Sequence, residues 1–529
     1  MRMCARPTRC MGDDVKAMAI TLRRHPMMVV AYCLYTAWAQ YVLISPVLMH
    51  DVGPDAALLD LALPYATIGI VCLVVALWFK ARRPQLASGE HRVAIVAAMV
   101  LGTLCEAAGV SDGGLFEDAA GAVLYALRCL FVALGVALFR VEIDRALGWV
   151  GAVEALRIVS VGTILMLPVG LGLACLPRTV GLYVSLALPV GALACLHWEV
   201  RTFPKPGYYA VDRDIALPFP RQFVGTSFVQ GLASGVFYGL VSSLAAAGVR
   251  VSPLASPAFL ASWPLGILAV LLAVSFAKLD YNRLIYKVGF PLLAASFMLL
   301  VLLPPPHVLG ELLHYGAAVY TDVILWSLGA YIMRDMGMPA CWIASLPGAA
   351  LFCGTAAGAC AMWLLARFAS GVTTGVVAPL FMACGLLFAS LVLLSDRNMR
   401  SGWGTFRLGV EEASMALLDA AVGYVAREYS LTPREAQVAS AIARGLTRHA
   451  AADELSVSDE TVKTHLRAIY RKTGTHSQAE LAGVVRDVRA AMGDRDEAGR
   501  CGGDGDGEGS RRLNSRTCER TMNLRVPRR

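Results

Sequence analysis

Charge is scarce in this chain. Of its 529 residues only 16% are Asp, Glu, Lys or Arg, against about 25% in soluble domains. Hydrophobic residues make up 57%, and the mean hydropathy is +0.58. An ordinary soluble protein is excluded. The fourteen cysteines form no CxxC pair and no Cys/His cluster at zinc spacing, so neither a disulfide framework nor a metal site is expected. Cys72, Cys129, Cys353 and Cys360 lie in apolar runs and read as small buried residues. Catalytic signatures are missing too. There is no GxxxxGK[ST] loop, no GxGxxG after a strand, no HExxH and no GxSxG. No α/β segment resembles a phospho-acceptor receiver. The expectation is a non-enzyme with no catalytic residue, no cofactor and no metal.

What the chain has instead is length of apolar sequence. After a basic segment over 1–25, runs of about 20 residues recur, each long enough to cross a bilayer as a helix. About twelve spans are predicted, over 27–49, 58–79, 93–110, 119–139, 158–176, 180–198, 223–247, 258–277, 284–303, 312–333, 342–365 and 372–395. The first run has no small-x-small site after it and is longer than the apolar core of a signal peptide, so it reads as a span. Loop charge gives an independent test. With the N-terminus cytoplasmic, the inside segments collect clusters such as Arg23 and Arg24, Lys80, Arg82 and Arg83, Arg140 and Arg145, and Arg201 and Lys205. The outside loops keep only Arg178, Arg250 and Arg367. That asymmetry predicts a multi-pass protein of the cell (cytoplasmic) membrane with both termini cytoplasmic.

Ionisable residues inside spans are rare. Glu106 in the third span, Arg128 in the fourth and Asp322 in the tenth stand out. A charge at mid-depth costs about 2.5–3.5 kcal/mol on insertion scales, so each calls for a partner or a wet cavity. Glu106 and Arg128 are on consecutive antiparallel spans and can pair. The three are candidate ligand or intramembrane polar residues for an unidentified small molecule; the competing reading is an ion pair that only orients helices. Trp38, Trp263, Trp326 and Trp342 read as interhelical packing or interface-belt residues. The longest internal loop, 201–221, divides the spans into two sets of six. That layout resembles the major facilitator superfamily of transporters, although KARRPQLASGEHR after the second span is no clear copy of that family's basic loop motif. The resemblance is of layout and implies no transport by itself.

Past Ser395 the composition changes. A connector and linking helix are expected over 397–429, the helix presenting Ala413, Ala416, Leu417, Ala420, Ala421 and Tyr424 at helical spacing. From Leu431 the punctuation is dense. Thr432-Pro433-Arg434-Glu435 combines a capping box with Pro at the first helical position. Gly445 suits a helix stop. RHAAADEL makes a short second helix, Ser458 caps a third, Gly474 ends it, and Ser477–Glu480 is a second capping box. Four helices with a tight turn between the second and third form a helix-turn-helix domain over 430–492. On the third helix Val462, Leu466 and Ile469 fall within about 60° and face a core. Lys463, Thr464, Arg467 and Arg471 lie opposite, with no acid expected among them. The domain holds nine Lys/Arg and seven Asp/Glu, so any DNA affinity comes from patterned charge. The remainder, 493–529, is Gly-rich, nearly without apolar residues and predicted disordered.

LTPREAQVASAIARGLTRHAAADELSVSDETVKTHLRAIYRKTGT resembles the DNA-binding domain of LuxR-type transcriptional regulators, through LTPRE, ARGLT, SxxTVKTHL, IYRK and a closing xxEL. The resemblance implies that Lys463, Thr464 and Arg467 meet bases of double-stranded DNA, that Thr461, His465 and Arg471 lie nearer phosphates, and that the last helix (481–488) pairs two copies as a homodimer. Gln437, Ala450, Thr473, Thr475 and Gln478 depart from the family pattern. The membrane half is similar, in architecture, to the sensor portion of LuxR-type regulators with a multispan N-terminus. The expected fold is thus all-α: a polytopic domain over 26–396 in the lipid bilayer, then the four-helix domain. The expected function is a membrane-embedded one-component regulator; the alternative is a membrane transporter with an appended regulatory DNA-binding domain.

Overall fold

The computed structural model describes residues 11–43, 54–82, 90–111, 119–203, 221–245, 257–274, 279–303, 307–334, 340–369, 371, 373–393, 418, 421–443, 446, 448–455, 457–485 and 487–488. The chain forms two compact units, Met1–Val410 and Glu411–Arg529. The described residues are helical nearly throughout. The tail over 493–529 and Gly445 lie outside the described residues.

The first unit contains α1 (Met11–Arg24), α2 (Pro26–Leu43), α3 (Pro54–Arg82), α4 (Glu90–Ser111), α5 (Ala119–Val150), α6 (Ala152–Ala174), α7 (Arg178–Ser185) and α8 (Ala187–Val200). It continues with α9 (Arg221–Ala245), α10 (Pro257–Leu272), α11 (Tyr281–Leu302), α12 (Val308–Arg334), α13 (Ala340–Phe368) and α14 (Thr373–Leu393). Among the described residues nine helices are long and apolar enough to cross a membrane. Within the expected spans over 27–49, 58–79 and 258–277, the described residues form the helix Pro26–Leu43 and the shorter apolar helices Ala62–Trp78 and Phe259–Leu272, and residues 44–49 and 275–277 lie outside the described residues. On α14, Phe381, Phe388 and Leu391 are 80%, 68% and 75% exposed. An apolar face of that kind is at home in lipid and not in water. The first unit is a multi-pass helical membrane domain.

Helix α5 is longer than expected. The predicted span stopped at 139, but Val141, Ile143, Ala146 and Leu147 keep the helical apolar pattern and are buried. Arg140 and Arg145 therefore lie inside the bundle and are not loop charges. The closest helix crossing is α9 on α13. A Cβ built on Gly231 or Gly235 would meet the carbonyl oxygens of Leu351 or Thr355, so only glycine lets these backbones approach.

One end of the bundle is joined by charge. His25, between α1 and α2, bonds Glu154 of α6 (2.9 Å) and Glu199 of α8 (2.8 Å). Arg24 also reaches Glu154, at 3.0 Å. Arg92 of α4 contacts His197 of α8 (2.5 Å) and Glu142 of α5 (3.7 Å), and Glu142 also holds Arg145 at 2.8 Å. Arg334, ending α12, donates to the Val150 carbonyl at 2.6 Å and so caps the end of α5. Basic residues that the loop-charge argument treated as free cytoplasmic markers are thus structural ties between helices.

Two outcomes are expected from this packing. Gly235→Leu forces backbone apart from backbone and should cost on the order of 1–3 kcal/mol or more; a lower unfolding midpoint of the full chain in detergent checks it, and an unchanged midpoint contradicts the close approach. Glu154 and Glu199 hold His25 protonated, raising it from about 6.5 to about 9. A raised folded value means the stabilisation is complete below about pH 6.5 and is lost as pH rises through about 9. The unfolding midpoint should fall across that window, and His25→Gln should remove the fall.

Candidate functional site

The second unit builds α15 (421–428), α16 (Pro433–Ala443), α17 (Arg448–Glu454), α18 (Asp459–Thr473) and α19 (478–485). Its first cap is made as the sequence predicts. The Thr432 amide donates to Glu435 Oε2 at 2.7 Å, and the Glu435 amide donates to Thr432 Oγ1 at 3.3 Å. Lys472, near the end of α18, closes on the same carboxylate at 2.6 Å and bonds the Ser430 carbonyl at 3.0 Å. Burial pushes Glu435 up, but the Lys472 ammonium and the Thr432 donors outweigh it and hold the carboxyl below its ordinary value. This tie from α16 to α18 was not foreseen, because Glu435 and Lys472 are far apart in sequence.

The Ser458 hydroxyl accepts from the Thr461 amide at 3.1 Å, and Gly474 ends α18 at φ 71°. That left-handed conformation favours glycine. Arg448 of α17 bonds Asp459 at 2.9 and 2.8 Å through Nε and Nη2, a two-point contact that sets the angle between the second and third helices of the domain. Val462, Leu466 and Ile469 are buried with Val438, Ala439, Ile442 and Leu481. In the second capping box Glu480 accepts from the His476 amide, one residue before the expected partner.

The outer face of α18 is basic, with one correction. Thr464, Arg467 and Arg471 are exposed, and Lys463, His465 and Thr461 partly so. Glu460 falls on the same side and pairs with Lys463 at 3.0 Å. The Ser458 cap already puts Glu460 in the first turn of this helix, and its i, i+3 spacing from Lys463 brings it to the basic side. The Thr464 hydroxyl donates to the Glu460 carbonyl at 2.9 Å, which leaves its methyl group to face outward.

In the membrane unit Asp322 lines a cavity of about 200 Å³ among α2, α3, α5, α6, α9, α10, α12 and α13. The other two candidates do not line it. Glu106 and Arg128 are 0% and 1% exposed, pair with one another between α4 and α5, and Arg128 also donates to the Val42 carbonyl at 3.1 Å. Arg140, missed as a site residue, lines the cavity instead, as do Trp263 and Trp326. Trp38 is packed away, its indole N–H on Thr103 at 2.9 Å.

Residues 429–485 match the family described as "Bacterial regulatory proteins, luxR family". The chain carries a C-terminal LuxR-type helix-turn-helix domain. Over 60 residues it is 38% identical to the HTH-type transcriptional activator RamA of Corynebacterium glutamicum, which is 11% of this chain and 21% of that protein. Over 58 residues it is 47% identical to the transcriptional regulatory protein YdfI of Bacillus subtilis, covering 11% and 27%. The chain thus spans about a quarter of the length of these relatives. The helical membrane unit is similar in overall arrangement to the human organic anion transporter MFSD10 (TETRAN), at 15% identity and TM-score 0.45, covering 72% of this chain and 98% of that one. It is similar also to the major facilitator proton:xylose symporter XylE, at 11% identity and TM-score 0.44, covering 72% and 95%. Likeness at this level assigns no substrate and no activity.

The LuxR-type domain is larger than its four named helices. Leu418, Ala421, Val422 and Val425 of the linking segment bury against Val485, with Val484 and Val488 beside them. Of the face expected on the linking helix, Ala421 is buried but Tyr424 is 43% exposed, so the helix is turned from the predicted orientation. Leu481 and Val485 of α19 are both fully buried inside the unit. They are therefore not available to a second copy, and the pairing expected through 481–488 needs the other faces of α19 or displacement of α15. The fragment 411–492 should unfold at a higher temperature than 430–492, since the shorter one exposes Val485. Losing one buried Val or Leu contact set costs about 1.5–3 kcal/mol. Equal midpoints would mean that α15 adds nothing to the domain.

Proposed function

We propose that this chain is a membrane-embedded one-component transcriptional regulator. Its membrane unit senses a small ligand, and its LuxR-type domain binds promoter DNA. The observation that carries the reading is a single chain holding both a cavity lined by Asp322 and Arg140 within a helical membrane unit and a helix-turn-helix whose third helix presents Thr464, Arg467 and Arg471 outward. Lys463, Thr464 and Arg467 meet base edges in the major groove; Arg and Lys suit guanine, and the Thr464 methyl suits thymine. Thr461, His465 and Arg471 contact phosphates, which position the helix without reading sequence. Before Lys463 can reach DNA it must release Glu460. That exchange disfavours sites lacking a compensating contact and sharpens discrimination. The loop-charge asymmetry supports a cytoplasmic position for both termini, and the likeness of 429–485 to LuxR-type domains supports pairing of two copies. A ligand regulates such a protein only by binding two arrangements of the membrane unit unequally.

Footprinting on genomic DNA with the full chain in nanodiscs, and with fragment 411–492, tests the DNA reading. Arg467→Ala and Lys463→Ala should each weaken a protected site by about 1–3 kcal/mol. Arg471→Ala should weaken specific and non-specific DNA alike and flatten the salt dependence. Glu460→Ala should keep or raise affinity while lowering selectivity. Protection that survives both Arg467→Ala and Lys463→Ala unchanged would sink the assignment.

A further inference from the structure

The charges in the membrane cavity are unevenly matched. Asp322 is partly buried on the cavity lining, and its carboxylate accepts from one neutral donor, the Trp326 indole at 3.2 Å. Among the described residues it pairs with no basic side chain. Arg140 is the other charge on the lining, and it already faces a carboxylate on its own helix, although its Nε has no hydrogen-bond partner. Its Nε lies 3.7 Å from Asp144, and its guanidinium sits 4.7 Å from the centre of the Trp326 ring. Two carboxylates therefore share one guanidinium. An anionic ligand would meet a covered, neutralised Arg140 and an opposing Asp322. A neutral ligand would leave Asp322 and Asp144 to share the one Arg140 guanidinium at a depth where charge is costly.

The uncharged lining points the same way. The side-chain oxygens of Gln40 and Gln230 are buried and without a hydrogen-bond partner, and Gln230 is 4% exposed. Tyr32, Tyr65, Tyr238 and Trp263 supply aromatic surface around them. Aromatic faces attract cations, more strongly when water is excluded. At about 200 Å³ the space is below the roughly 300–1,000 Å³ that drug-sized ligands fill. It suits a molecule of one ring or a short chain.

We propose that this cavity binds a small organic ammonium ion, with Asp322 as its counter-charge, the Gln40 and Gln230 oxygens accepting its N–H groups, and the Tyr and Trp rings enclosing it. The proposal rests on the reading of the membrane unit as the sensory half, and names the class of ligand that half detects.

Three isosteric probes separate the charge classes: benzylammonium, benzyl alcohol and benzoate. Each is titrated into the full chain in nanodiscs at pH 7, with tryptophan fluorescence as the signal, since Trp263 and Trp326 line the cavity. Benzylammonium should saturate at least tenfold more tightly than benzyl alcohol, and benzoate should not saturate. Asp322→Asn should reduce benzylammonium to the level of the alcohol, whereas Asp322→Glu keeps the preference. Both variants are compared at an unfolding midpoint matching the parent, and Gln230→Leu, which keeps the charge and removes an acceptor, serves if Asp322→Asn does not fold. For Gln230→Leu a several-fold loss for benzylammonium with none for the alcohol is expected. Benzoate binding as well as benzylammonium, no saturation by benzylammonium, or unchanged affinity in a folded Asp322→Asn or, in its place, Gln230→Leu variant each overturns the ligand class. The footprint is read in parallel. Asp322-dependent binding that leaves the DNA footprint unaltered removes the sensory reading and keeps the ligand class. A footprint present without benzylammonium binding removes only the ligand class.

Discussion

A formal charge within a bilayer must meet an opposite charge, a polar partner or water, and the membrane unit is arranged around that constraint. Its consequence is plainest at the end of the bundle where His25, Arg92, Glu142, Glu154, His197 and Glu199 meet. His25 with Glu154 and Glu199, and Arg92 with His197, join helices that are not consecutive in the chain. Helices in lipid gain little from hydrophobic association, because the lipid is as apolar as they are. Polar ties and close glycine crossings such as Gly235 on Thr355 take that role.

The same constraint separates scaffold from site. Glu106 and Arg128 pair between adjacent helices and are closed off from the cavity. Arg140 satisfies Asp144 one helical turn along. Asp322 is the carboxylate that this scheme leaves facing open space. The LuxR-type domain follows a related economy. Lys472 on Glu435 and Arg448 on Asp459 fasten the helices that carry α18, while Arg467 and Arg471 stay exposed.

Local signals were legible wherever the physics is local. The Thr432–Glu435 box, the Ser458 cap, the Gly474 stop and the Val462–Leu466–Ile469 edge depend on neighbours within a turn or two, and each is present. Misreadings came at segment ends. Stopping the fourth span at 139 hid Arg140, and taking the outer face of the third helix from Lys463 onward left out Glu460. The apolar pattern past 139 was sufficient to extend that span, since Val141, Ile143 and Ala146 continue it.

The sequence by itself determined an all-α chain, a multi-pass membrane unit and a LuxR-type domain at its C-terminal side, because hydropathy, caps and helical periodicity are properties of short segments. Tertiary structure alone decided which charges are structural and which face a cavity, since that depends on helices hundreds of residues apart. It also decided that α15 covers the apolar face of α19. Two helices can each present an apolar stripe in sequence, but only packing shows that the stripes bury one another.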